Sequence, residues 1–175
     1  PLTGRLAPPA DATFVAVTGG ENEQWCLLAS DAGYGFRVQL KDLLANKKVG
    51  KVVLRLPKNA RTLKPAPIGS EDDRLVAITN DGRMLVFPVA ELPSMSRGKG
   101  NKIIGIPAKK AESHEEFVVA LACLGRDQVL KAWSGKRFLS LKSSDLDAYA
   151  GERGRRGSKL PRGFQKIDSV EVVDV

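Results

Sequence analysis

Three stretches of this chain gather closely spaced cations, a residue pattern suited to holding phosphate. The first carries Lys47, Lys48 and Lys51, the second Arg97, Lys99 and Lys102, and the third Arg153, Arg155, Arg156, Lys159 and Arg162. Glycines interleave the later two, at Gly98, Gly100, Gly154 and Gly157. Without a β-carbon, such positions let backbone N–H groups approach anionic oxygens while the flanking Lys and Arg neutralise charge. No acid occurs between Asp42 and Glu71, or from Ser94 to Lys110, and the third stretch has Glu152 alone. One charge run reads as a solvated loop, whereas three at equivalent points read as a track for a phosphate backbone.

Other chemistries find little footing. The single histidine, His114, lies beside Glu115 and Glu116 in an acidic connector and reads as a surface residue rather than a metal ligand. Tyr34 and Tyr149 lack the neighbouring acids, histidine and metal ligands of a covalent nucleophile, so one reads as a hairpin residue and the other as packing. Cys26 and Cys123 fall inside apolar runs and read as buried free thiols. Phe36, Phe87 and Phe138 occupy strand positions and read as core rather than as base-stacking platforms. Binding of a phosphate backbone is therefore expected to be independent of base sequence.

The elements that must position the basic stretches repeat three times, over residues 25–57, 74–107 and 128 to about 163, with Gly33, Gly82 and Gly135 at corresponding points. A period near fifty residues is that of a modular β array. In the second copy, 75–79 is a strand ending at Asn80-Asp81-Gly82, and 84–89 returns as its hairpin partner. A long loop over 94–100 then leads to an apolar strand over 102–106. The first copy matches it position for position, and the third is looser, with a closing strand over 166–173. Further β-compatible segments precede each copy, at 14–17, 61–67 and 117–124, giving four strands per unit. The connectors 19–24, 69–73 and 108–116 read as solvated surface turns, the last with one or two helical turns.

Composition agrees with this reading. The 175 residues include 28 Lys plus Arg against 20 Asp plus Glu, a net charge of +8 that favours a polyanionic partner. No apolar run is long enough to span a bilayer and no signal-peptide pattern opens the chain, so a cytoplasmic location is expected.

The string GRMLVFPVAELP from Gly82 to Pro93, followed by RGKGNKIIGIP from Arg97 to Pro107, closely resembles the C-terminal domain of the A subunit of bacterial topoisomerase IV. DAGYGFRV (Asp31 to Val38) and GERGRRG (Gly151 to Gly157) look like the same family, and the resemblance runs from Trp25 onward. It implies an all-β fold, a β-pinwheel or propeller-like array of about three four-stranded blades that exchange strands with a neighbour. The blades are expected at approximately 12–60, 61–110 and 115–175 of a single domain. It further implies a non-catalytic domain that binds and bends duplex DNA along a basic rim, selecting crossings for relaxation and decatenation. The parent's cleavage tyrosine, Mg2+ and ATP are implied to lie elsewhere, with no cofactor in this domain. Implied partners are duplex DNA and the rest of the A subunit with the B subunit in a heterotetramer, in the cytoplasm at the nucleoid, without a membrane; a chromosome-organising protein of the SMC type is left open.

The related gyrase domain wraps DNA with a box of the type Q-R-R-G-G-K-G, which neither 96–100 nor 153–157 reproduces. That gyrase domain stays open as an alternative, as does a propeller-like protein-interaction scaffold. The opening Pro1-Leu2-Thr3-Gly4-Arg5 has no initiator methionine and reads as the start of a fragment of a larger polypeptide.

Overall fold

The structure is a computed structural model that describes residues 11–47 and 49–175, so Lys48 and the Pro1 to Arg5 opening lie outside the described residues. In chain order the strands are β1 (Trp25–Ser30), β2 (Tyr34–Gln39), β3 (Ala66–Ile68), β4 (Arg74–Thr79), β5 (Arg83–Pro88) and β6 (Asn101–Lys102), then β7 (Val118–Leu124), β8 (Gln128–Ser134), β9 (Arg137–Leu141), β10 (Ser158–Lys159) and β11 (Ser169–Asp174). Two short helices interrupt them, α1 (Ala108–Glu112) and α2 (Ser143–Leu146), the second unforeseen from sequence. The strands form three sheets, in the orders β3-β1-β2-β6, β10-β5-β4-β7 and β11-β8-β9.

Every sheet is built on one hairpin, but its flanking strands come from further along the chain. β3 and β7 pair with the hairpins before them, on β1 and β4, rather than with the hairpins they precede in sequence. β6 belongs to the second copy yet pairs with β2 of the first, and β10 of the third copy pairs with β5 of the second. The chain therefore threads each copy into the one before it. The segment 14–17, expected as a strand, is not one, and Phe14, Val15 and Val17 are exposed. Its counterparts answer to a hairpin that precedes them, and among the described residues none precedes 14–17.

Burial follows from this threading. The second sheet is covered on both faces, which is why β4 and β5 read as unbroken apolar runs. Leu75, Ala77, Leu85 and Phe87 pack with Leu27, Ala29, Ile103 and Ile104 of the first interface. Val76, Ile78, Met84 and Val86 pack with Leu130, Ala132, Leu141 and Leu160 of the second. Phe36 and Val38 close a smaller cluster with Cys26. Full burial of a Phe or Leu side chain contributes about 1.5–3 kcal/mol, so the interfaces between sheets dominate the stability of the array.

Three further expectations fail for identifiable reasons. Phe138 is 45% exposed, unlike Phe36 and Phe87. Ser30 pairs with Tyr34 across residues 31–33, but Ser134 pairs with Arg137 across 135–136 alone. That one-residue difference turns Phe138 to the opposite face, where it meets Trp133 at 4.8 Å. Two connectors read as solvated hide acids, for Asp73 and Glu116 are buried. His114 is half-buried, its Nε2 2.8 Å from Oδ2 of the buried Asp31 and its ring stacked on Phe117, so it clasps the first hairpin rather than facing solvent freely.

Cys26 and Cys123 are buried and free as expected, and burial pushes both thiols up, Cys123 to about 12. Neither is expected to react with a disulfide reagent at neutral pH until the chain unfolds, when both should titrate. Threading is tested by glycine replacement. A β-carbon on Gly100, at φ +78°, would lie 2.1 Å from the Gly35 carbonyl oxygen, whereas one on Gly135, at φ +60°, meets nothing within 4 Å. Gly100→Ala is expected to cost about 3 kcal/mol in urea unfolding, against about 1 kcal/mol for Gly135→Ala, where only the backbone conformation resists.

Candidate functional site

The basic stretches occupy the segments that lead into the exchanged strands, and backbone hydrogen bonds tie each to the next. Gly98 N–H donates to Val53 O at 2.9 Å, and Arg55 N–H donates to Gly98 O at 2.8 Å. One copy further on, Gly154 N–H donates to Ile103 O at 2.9 Å, and Gly105 N–H donates to Arg155 O at 2.7 Å. Loop two is thereby laced to the end of copy one, and loop three to the end of copy two. The first two stretches meet at a shallow recess lined by Lys51, Val52, Ser96 and Arg97, and the third reaches the second where Arg153 Nη1 donates to the Lys102 carbonyl, beside the sheet edge that the exchanged strands form.

Along this edge the expected residues differ in freedom. Lys47, Lys51, Arg97, Lys99 and Arg155 are exposed. The Lys99 ammonium lies 4.4 Å from the centre of the Tyr34 ring, a cation–π contact that draws the loop against β2. Lys102 is half-buried in β6, its carbonyl accepting from Arg153 Nη1 at 2.8 Å. Arg162 is exposed, and the neighbouring Gly163 carbonyl accepts from Arg137 Nη2 of the third hairpin at 3.2 Å. Lys48 falls outside the described residues.

Two of the expected cations are engaged within the fold. Arg156 Nη1 donates to Glu116 Oε1 at 2.6 Å and to Gly105 O at 3.0 Å, and its Nη2 reaches Asp81 Oδ2 at 3.5 Å. Lys159 pairs with Asp81 Oδ1 at 3.0 Å, and Arg83 with Asp81 Oδ2 at 3.0 Å. Glu116 is 2% exposed and its Oε2 has no partner among the described residues, so Arg156 alone answers its charge. These pairs fix the third loop on the second sheet and leave Arg155, whose own pair with Glu152 is solvent-exposed, and Arg162 as its exposed cations without a buried partner.

Sequence reasoning missed Arg55, which is exposed and hydrogen-bonded through its backbone to Gly98, and so adds a cation to the edge. The acid-free run 43–70 that contains it was the available signal. It also missed the anchoring acids Asp81 and Glu116, since nothing local distinguishes a buried carboxylate from a solvated one.

A family model described as DNA gyrase C-terminal domain, beta-propeller, matches residues 24–68 and 73–124. The A subunit of DNA topoisomerase 4 from Pseudomonas aeruginosa is 49% identical over 176 residues, which cover 100% of this chain and 23% of that protein. Its Escherichia coli K12 counterpart is 45% identical over 172 residues, covering 98% of this chain and 23% of that protein. The solved structure of the E. coli ParC C-terminal domain superposes with a TM-score of 0.89 at 44% identity, covering 100% of this chain and 71% of that one. A gyrase A C-terminal domain structure, at TM-score 0.67 and 14% identity over 88% of this chain and 50% of that one, shares the fold. The chain thus spans just under a quarter of the length of the curated relatives it matches.

Removing Arg156 strands a buried carboxylate, whereas removing Arg155 breaks an exposed pair. Arg156→Ala is expected to cost on the order of 3 kcal/mol, a fall in Tm of roughly 6–12 °C, and Arg155→Ala less than about 1 kcal/mol. Differential scanning calorimetry compares them. The hydrogen bond from Lys159, then that from Arg83, holds the Asp81 carboxyl below the usual aspartate range against the opposing effect of burial. Asp81 therefore stabilises the fold above that range, and the contribution fades as pH falls through its lowered value. The Tm gap between the parent chain and Asp81→Asn should accordingly narrow on acidification.

Proposed function

Because the chain belongs to the family of C-terminal domains found in the A subunits of gyrase and topoisomerase IV, we propose that it is a non-catalytic domain that captures duplex DNA on its basic edge. What supports this reading is that the cation-rich, acid-poor loops follow one another in the fold, loop two hydrogen-bonded to the segment 53–55 just past loop one and loop three to the segment 103–105 just past loop two. Lys47, Lys51, Arg55, Arg97, Lys99 and Arg155 present charge there without buried partners. A surface of this kind neutralises phosphates and releases counterions whatever the base sequence, and a track across several blades favours DNA that bends to follow it.

In the parent enzyme, the proposed role is to guide DNA leaving the cleavage site back as the segment to be transported, so that crossings are chosen for relaxation and decatenation. Cleavage, metal and nucleotide chemistry would then belong to the rest of the A subunit and to the B subunit. A chromosome-organising partner would have to share this edge or use another.

Two variants test the track, Lys47→Ala with Lys51→Ala in the first loop and Arg97→Ala with Lys99→Ala in the second. Each should weaken duplex binding equally across unrelated sequences. Each should also flatten the slope of log K against log salt by about 0.9 for every phosphate no longer neutralised. Fluorescence anisotropy over a salt series reads both quantities. An unchanged slope would sink the assignment, and failure of heparin to compete would favour a protein-docking scaffold.

A further inference from the structure

Two equivalent corners of the fold carry different chemistry. Lys102 of β6 pairs with Tyr34 of β2, and Lys159 of β10 pairs with Arg83 of β5, so the two lysines correspond, as do Tyr34 and Arg83. Three residues before each lysine, Lys99 corresponds to Arg156. The two hairpin turns align at Gly33 and Gly82, and the residue before the glycine is Ala32 in one and Asp81 in the other. The carboxylate of the adjacent Asp31 is buried and taken by Arg61 N–H and His114. Among the described residues, therefore, only the second corner offers an acid to the strand that enters it. The exchange itself does not demand one, since β6 seats beside Ala32 in the same register.

At that corner Asp81 gathers cations from its own hairpin, from the third loop and from β10. Its Oδ2 accepts from Arg83 Nε at 3.0 Å and lies 3.5 Å from Arg156 Nη2, while its Oδ1 lies 3.0 Å from Lys159 Nζ. The cluster is open to water: the Asp81 side chain is 39% exposed and that of Lys159 43%, whereas Glu116, which holds Arg156 from within, is 2% exposed. The two acids thus divide the work. Glu116 fixes Arg156 in place whatever happens at the surface, and Asp81 meets the same guanidinium, with Arg83 and Lys159, on the solvent side. A carboxylate and a phosphodiester each present two oxygens sharing one negative charge, so the same donors serve both.

Resting on the DNA-binding reading of this edge, we propose that Arg83, Arg156 and Lys159 form a phosphate site that Asp81 occupies from within the chain, so that Asp81 limits how tightly the third loop grips a duplex. Lys99 and Lys102, at the equivalent corner, meet no such competitor among the described residues, and the Lys99 ammonium stays exposed over the Tyr34 ring. A phosphate reaching the second corner has to displace the carboxylate, which turns into water as it leaves. The gain from neutralising that phosphate is offset by the ion pairs given up, and fewer counterions are released than the Lys and Arg count of the loop suggests.

Anisotropy of a labelled random-sequence duplex over a salt series tests this. Asp81→Asn should bind several-fold more tightly than the unaltered chain and steepen the slope of log K against log salt by roughly 0.9–1.8, for one or two phosphates gained. Adding Lys159→Ala to Asp81→Asn should remove most of that gain, as coupled partners require. Asp127→Asn changes the net charge equally at an exposed turn that follows β7, the strand at the opposite edge of the sheet from β10, and should leave the slope unchanged. Asp81→Ser, equally suited to a turn, gives the same comparison if Asp81→Asn melts below the assay temperature. Unchanged or weaker binding by the Asp81 variants, an equal gain from Asp127→Asn, or a gain that survives Lys159→Ala overturns the competition. In each of those cases an unaltered chain that still binds with a steep salt slope keeps the DNA-binding reading; an unaltered chain that binds no duplex overturns both.

Discussion

A backbone N–H that leaves its own copy to find its acceptor organises this domain. Ile103 N–H reaches Gly33 O and Leu160 N–H reaches Gly82 O, each beside a short exchanged strand. Because the exchanged strand must lie against the turn of the preceding hairpin, the glycines there tolerate no side chain. Because it also carries its basic loop along, the loops cannot be placed independently. One exchange thus sets sheet composition, the interfaces between sheets, and the alignment of charge.

Gathering cations on one edge carries an electrostatic cost, and the fold offsets part of it from within. Asp81 takes Arg83, Lys159 and the far side of Arg156, while Glu116 takes Arg156 from beneath. These acids come from a hairpin turn and a connector that precede the loop they hold. The cations they engage are structural first, and those the proposed role would draw on are the exposed members, Lys47, Lys51, Arg97, Lys99, Arg155 and Arg162, with Arg55. Charge density in sequence and charge available to a ligand are therefore different quantities, and the third loop, densest in Arg and Lys, has fewer free cations than its composition suggests.

Much of the architecture is legible in the sequence because the repeat is strong. Three hairpins, the buried faces of β4 and β5, and the equivalence of the basic loops all follow from aligned glycines and apolar runs. The partner of each flanking strand is not legible, since β3, β7 and the exchanged strands look alike whichever hairpin they join. The face of Phe138 was hidden by a single residue in a turn, a change that alignment by glycine absorbs without trace. The burial of Glu116 depends on an arginine forty positions away, at Arg156, and no local pattern marks it.

The central claim is that all three loops act together as one DNA-binding edge. Hydrogen exchange of the backbone amides, with and without a saturating duplex, tests it most directly. Protection should appear at 47–51, 97–100 and 153–157 within the same step of a DNA titration, with β3, β7 and β11 unchanged. Protection confined to one loop, or centred on those three strands, would contradict it.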